Sequence, residues 1–280
     1  MHMDRLSELK ELLGTLEGVV LAFSGGVDST LLAKLLRDVL PREQLLAVTA
    51  ESAVRPVFER QEAAELAELF DLPHIFVGSG ELHQPEFVVN GPDRCYYCKR
   101  GLFNRLRAIA EERDFAYVVD GANADDQKEY RPGSRAAVEL GVRSPLAEIG
   151  MDKQEVRALS QKLGLPTWNR PSNSCLATRF PYGTRLTATS LHRVEEGEML
   201  LRRLGLRQVR LRDHGSIARL EVDRDELEKA FSHRDVIVTG LKSAGYAYIT
   251  LDLEGYRTGS LDLELEKVRS PAFPGGMTTT

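Results

Sequence analysis

Apolar positions in the first half of the chain fall into short runs separated by turn residues. Gly18-Val19-Val20-Leu21-Ala22-Phe23 is apolar throughout, as a strand buried on both faces must be. A glycine turn follows, and Leu31-Leu32-Ala33-Lys34-Leu35-Leu36 then carries helical spacing. Residues 45–50 predict a second strand, 58–70 an Ala/Glu/Leu-rich helix closed by Pro73, and 75–77 a third strand. Residues 100–112 predict a helix and 117–120 a fourth strand. Strands alternating with helices predict an α/β fold with a doubly wound parallel sheet.

The pattern changes near residue 165. Residues 169–187 are rich in Pro, Ser, Thr, Gly and Arg, as in a long ordered loop or a domain junction. Beyond them, 191–204 predicts a helix, and 209–212 and 217–222 alternate like half-buried strands around Asp213-His214-Gly215. A helix over 224–231 and a strand over 246–251 complete a small α+β domain. The expected division is 1–165, 166–270 and a frayed tail at 271–280.

Composition narrows the class. In 280 residues, 42% hydrophobic and 28% charged positions exclude a disordered chain. No apolar run approaches the ~20 residues of a membrane helix, and the first residues lack an apolar signal core, so a cytoplasmic protein is expected. A net charge of −5 disfavours a nucleic-acid partner held by a global positive field.

Ser24-Gly25-Gly26-Val27-Asp28-Ser29-Thr30 lies between the first strand and its helix. Glycines there let the backbone approach an anion, and the N–H groups of the helix start point at it. The hydroxyls of Ser24, Ser29 and Thr30 can add donors, and Asp28 can help to hold Mg²⁺. The segment lacks the lysine of GxxxxGK[ST], so it is not a Walker loop. The bland alternative is a tight turn whose serines cap a helix. The SGGxDS pattern resembles the PP-loop pyrophosphatase superfamily, in which this loop holds the pyrophosphate of ATP while AMP is transferred. Thr49 and Ala50 after the second strand, and Gly121 and Asn123 after the fourth, fit an adenine and ribose site at the carboxyl ends of the strands.

Three cysteines remain: Cys95 and Cys98 as a CxxC pair, and Cys175. A four-thiolate zinc site is excluded within one chain, and no histidine has ligand spacing to the pair. A redox dithiol leaves Cys175 without a role. A [4Fe-4S] cluster on three thiolates keeps one iron position open for a sulfide. Unrelated buried cysteines, or a thiol role for Cys175 alone, remain alternatives.

Further segments extend the resemblance: residues 120–126 (DGANADD), 141–146 (GVRSPL), 153–157 (KQEVR), 170–179 (RPSNSCLATR), 181–184 (PYGT), 210–215 (RLRDHG) and 256–260 (YRTGS). With these the chain resembles the LarE sulfur transferases of nickel-pincer cofactor synthesis. The resemblance implies ATP-dependent adenylation of the carboxylates of pyridinium-3,5-biscarboxylic acid mononucleotide and their conversion to thiocarboxylates. It implies Cys95, Cys98 and Cys175 as cluster ligands, a sulfide donor and a homo-oligomer. Cys175, Asp28 and Arg179 are the expected catalytic residues. Arg179, Glu198, Arg210, Arg212 and Glu221 are the expected substrate contacts. Arg210 and Arg212 share a strand face and can reach one phosphate, or form a solvated face. Glu198 and Glu221 can equally be surface charges, and Asp125 and Asp126 can bind Mg²⁺ or cap a turn. Rival readings are a tRNA thiolase of the same superfamily, an ammonia-using NAD or GMP synthetase-like ligase, and a non-enzymatic nucleotide-binding module.

Overall fold

The computed structural model describes residues 5–128, 132–171 and 173–257. They divide into two compact units. The first runs up to Cys175 and takes in Tyr182–Ala188; the second holds Leu176–Pro181 and the described residues from Thr189 on. The boundary is therefore crossed more than once inside the Pro/Gly-rich stretch.

In the first unit, strands β1 (Val19–Ala22), β2 (Leu45–Glu51), β3 (His74–Gly78) and β4 (Tyr117–Val119) form one sheet in the order β3-β2-β1-β4. Every pairing is parallel: Val19 stands beside Leu45 and Tyr117, and Val48 beside Ile75. The helices are α1 (Arg5–Gly14), α2 (Val27–Val39), α3 (Val57–Leu69), α4 (Pro85–Val88), α5 (Arg94–Glu112), α6 (Ala124–Lys128), α7 (Pro132–Glu139), α8 (Pro145–Glu148) and α9 (Lys153–Lys162).

Alternate strand residues explain the layering. Val19 and Leu21 point to one face and pack with Leu9, Leu31, Leu35, Ala63 and Val156 from α1, α2, α3 and α9. Val20, Leu46, Val48 and Val118 point to the other face and pack with Phe103, Leu106 and Ala136 from α5 and α7. Both faces being covered, the strands carry no polar alternation. The carboxyl ends of β1 and β4, next to each other, carry the glycine loop and the residue 120–126 loop.

In the second unit α10 (Ala188–Arg203), α11 (Leu227–Ser232) and α12 (Arg234–Ser243) accompany β5 (Val209–His214), β6 (Ile217–Val222) and β7 (Tyr248–Leu251). β5 and β6 pair antiparallel, and β7 joins β6 in parallel. Tyr246 lies outside β7, because its ring is buried and its hydroxyl donates to Asp213 Oδ2 at 2.9 Å. The helix expected over 224–231 is a 3₁₀ turn, Arg224–Glu226, followed by α11. The expected frayed tail lies outside the described residues. Among the described residues no helix is long and apolar enough to cross a membrane.

Candidate active site

The glycine loop runs directly off β1 into α2. Gly25 adopts φ +71°, a left-handed conformation that a side chain would strain. Ser24 and Ser29 spend their hydroxyls inside the loop: their Oγ atoms are 3.0 Å apart, Gly26 N donates to Ser24 Oγ, and Ser29 Oγ donates to Gly26 O. The serines thus shape the loop first. The N–H groups of the first turn of α2 have no intrahelical acceptor, and the helix dipole adds positive potential there. Arg170 braces the loop from outside, donating from Nη1 to Gly25 O at 2.9 Å and pairing with Glu62 at 3.1 Å.

Asp28 is the hub. Asn123 Nδ2 donates to its Oδ1 at 3.0 Å, and Lys153 Nζ binds its Oδ2. Asn123 is buried, and its own Oδ1 accepts from Asp125 N and Asp126 N, capping α6. Asp126 Oδ2 in turn accepts from Asn123 N, and Asp125 Oδ2 from Lys153 N. Both aspartates therefore cap and tie the loop. Gly121 packs directly on the Asp28–Ser29 backbone. Thr49 commits its hydroxyl to the sheet: it donates to Phe23 O at 2.7 Å and meets His74 Nε2 at 2.8 Å.

Lys153 was not among the residues that sequence reasoning singled out for chemistry. The amine that the glycine loop lacks is delivered from α9, and the signal was legible. Asp152 and Glu155 form a capping box, with Glu155 N on Asp152 Oδ1 at 2.8 Å and Asp152 N on Glu155 Oε2 at 3.0 Å. That motif starts a helix at Lys153. Around Asp28 and Lys153 opens a cleft also lined by Ser24, Gly25, Gly26, Val27, Arg55, Glu59, Glu62, Arg157, Arg170, Pro171 and Asn173. The cleft gathers four cations, of which Arg55 pairs with Glu59, Lys153 with Asp28 and Arg170 with Glu62.

The CxxC pair lies in the first turns of α5, which begins six residues ahead of the expected helix. All three cysteines are free thiols, with Cys95 exposed and Cys98 and Cys175 partly buried. Burial pushes the Cys98 thiol up to about 12, and Cys175, Glu81 and Cys95 add to this while Lys99 opposes it. Asn173, two residues before Cys175, lines the same cleft as Asp28 and Lys153. Among the described residues no group of three or more His, Cys, Asp or Glu is arranged to hold a metal ion. As donors, three thiols have the chemistry that an iron–sulfur cluster takes.

The five expected substrate contacts meet inside the second unit. Glu198 is fully buried and accepts from Arg179 at 2.7 and 3.1 Å, from Arg202 at 3.1 Å and from Leu211 N at 3.1 Å. Arg212 binds Glu221 and Thr178 O, each at 2.7 Å. Arg210 stacks over Tyr256 at 5.1 Å, and burial, then Arg179, pulls its guanidinium down to about 10. The solvated-face alternative for Arg210 and Arg212 is wrong, as is the surface alternative for the two glutamates. The outer positions of β5 are covered, and opposite charges bury one another there.

A parallel sheet whose first strand ends in a phosphate-type glycine loop, with a lysine and an aspartate meeting above it, defines an ATP-binding α/β domain of the PP-loop class. Residues 6–80 match the NAD synthase family. Over 266 residues the chain is 41% identical to an uncharacterized protein of Synechocystis sp., covering 94% of this chain and 99% of that one. It is 39% identical over 261 residues to the pyridinium-3,5-bisthiocarboxylic acid mononucleotide synthase of Lactiplantibacillus plantarum, covering 93% and 95% of the two chains. An uncharacterized protein of Methanocaldococcus jannaschii is 29% identical over 240 residues, 86% of this chain and 91% of that one. The chain belongs to the family of the L. plantarum synthase, the LarE sulfur transferases, and is an ATP-using, sulfur-transferring enzyme.

Proposed function

We propose that this enzyme adenylates the two carboxylates of pyridinium-3,5-biscarboxylic acid mononucleotide in turn and converts each to a thiocarboxylate. The observation that carries the reading is the Lys153–Asp28–Asn123 constellation at the glycine loop, with the free thiols of Cys95, Cys98 and Cys175 in the same unit. A carboxylate oxygen is a poor leaving group, and transfer of AMP makes it a good one.

ATP lies with its β and γ phosphates on the loop from Ser24 to Ser29, its adenine and ribose toward Thr49, Gly121 and Asn123. A substrate carboxylate oxygen attacks the α phosphorus, the bond to the bridging oxygen breaks, and pyrophosphate departs. Negative charge develops on the α-phosphate oxygens in that step. Lys153, held on Asp28, is the cation placed to stabilise it. Asp28 is the carboxylate that would hold Mg²⁺, which would neutralise charge on the departing pyrophosphate. Hydrosulfide sulfur then attacks the acyl carbon; AMP and a proton leave, and the thiocarboxylate remains. Cys95, Cys98 and Cys175 would hold a [4Fe-4S] cluster, which supplies nucleophilic sulfur when bound. Arg179, Glu198, Arg210, Arg212 and Glu221 form the buried frame that serves the anionic substrate. The protein acts in the cytoplasm as a homo-oligomer supplied by a sulfide donor.

The test is anaerobic incubation with ATP, Mg²⁺, sulfide and the biscarboxylic acid mononucleotide. Pyrophosphate, AMP and a thiocarboxylate identified by mass spectrometry are expected, together with iron and acid-labile sulfide in the isolated protein. Absence of substrate-dependent pyrophosphate would overturn the adenylation step. An active, iron-free protein would overturn the cluster.

A further inference from the structure

Arg94 opens α5 and is only 5% exposed. Its Nε and Nη1 have no hydrogen-bond partner among the described residues. The guanidinium lies over the ring of Tyr182, 4.7 Å from the centroid. A ring face attracts the charge but leaves in-plane N–H donors unsatisfied. The adjacent Asp93 has a buried Oδ1 that also lacks a partner. Burying a cation without acceptors is costly, so its retention here points to acceptors that arrive with a ligand.

Position says which ligand. Arg94, Cys98 and Gly101 follow one another at i, i+4 and i+7, on one face of α5. That face is covered, since a Cβ on Gly101 would stand 2.7 Å from Gln84 Nε2. Helical side chains lean toward the N-terminus, which carries the Arg94 head away from Cys98. An anion on Arg94 would therefore sit on the Cys98 face of α5, one turn nearer the start of the helix.

We propose that Arg94 receives an oxyanion of the acid substrate remote from the reacting carbon, a phosphate or a second carboxylate. This rests on the functional reading above, because it takes the ligand from it. The test compares the full-length wild type with Arg94→Met and Arg94→Lys. Probes are the biscarboxylic acid mononucleotide, its dephosphorylated nucleoside, pyridine-3,5-dicarboxylate and ATP, read by calorimetric affinity and thermal unfolding.

Arg94→Met should unfold no earlier than wild type without ligand, because a buried unpaired charge has gone. Its affinity for the mononucleotide should fall roughly 10–100-fold, with ATP affinity unchanged and Arg94→Lys intermediate. A loss confined to the phosphorylated probe assigns the phosphate; an equal loss for the dicarboxylate assigns the carboxylate. Unchanged mononucleotide affinity in Arg94→Met, or a ligand-free unfolding temperature well below wild type with proportionate loss of ATP binding, overturns the proposal in favour of a structural arginine. Wild type that binds ATP but none of the pyridine acids overturns the functional reading itself, and this proposal with it.

Discussion

Replacing Gly121 with Ala inserts one methyl group where the end of β4 meets the first turn of α2. The new Cβ would stand 2.8 Å from Ser29 N, 3.1 Å from Ser29 Cα and 3.2 Å from the Asp28 carbonyl carbon. Ordinary contacts are about 3.5–4.0 Å, so the two segments must part by roughly half an ångström. All three neighbours are backbone, and no side chain can swing aside. Overpacking of this kind costs about 1–3 kcal/mol, and burying one methyl returns at most about 0.8 kcal/mol. The displacement falls on Asp28, whose carboxylate joins Asn123 to Lys153. Misplacing reacting groups by about 1 Å can cost 100-fold, so substrate-dependent pyrophosphate release should fall roughly 10–100-fold. Urea unfolding should show a loss of about 1–2 kcal/mol, small enough to leave the protein folded. A variant releasing pyrophosphate at the wild-type rate would refute the claim that this contact sets the loop.

Other outcomes follow from the same geometry. Lys153→Met should lower pyrophosphate release by at least about 100-fold with a smaller change in ATP affinity, whereas Lys153→Arg should recover part of it; stopped assays and ATP titration separate the two effects. Glu198→Gln should cost about 3–5 kcal/mol in urea unfolding at neutral pH, because Arg179 would lose its buried counter-charge. Burial alone would raise the Glu198 carboxyl, but Arg179, then Arg202 and Arg210, override it and hold the group below the usual range. Its stabilisation is complete above the unfolded value of about 4.3 and is lost as pH falls through the lower folded value, so wild type and variant should converge on acidification below about pH 4. Gly197→Ala would drive a Cβ into Leu211 Cδ1 and to 2.9 Å of Leu241 Cδ2, and should destabilise the second unit by about 1–3 kcal/mol by calorimetry. Cys95→Ala should lose the iron and the visible absorbance of anaerobically purified protein while retaining substrate-dependent pyrophosphate release.

Periodicity and composition determined the parallel sheet and the place of the glycine loop, because both are local. Val19 to Ala22 are apolar at successive positions since the strand is covered on both faces, and that burial is written in four consecutive residues. The family was legible for a similar reason, since long contiguous motifs carry it. Tertiary structure alone decided which distant groups share a charge. Lys153 reaches Asp28 across 125 positions, a pairing set by how α9 packs on α2 and by no local pattern. Arg210 and Arg212 alternate as on any half-exposed strand, and only the packing of the second unit made them buried partners of glutamates. The emptiness around two nitrogens of Arg94 was likewise invisible in the sequence, because an unmet hydrogen bond belongs to a place in space and not to a residue type.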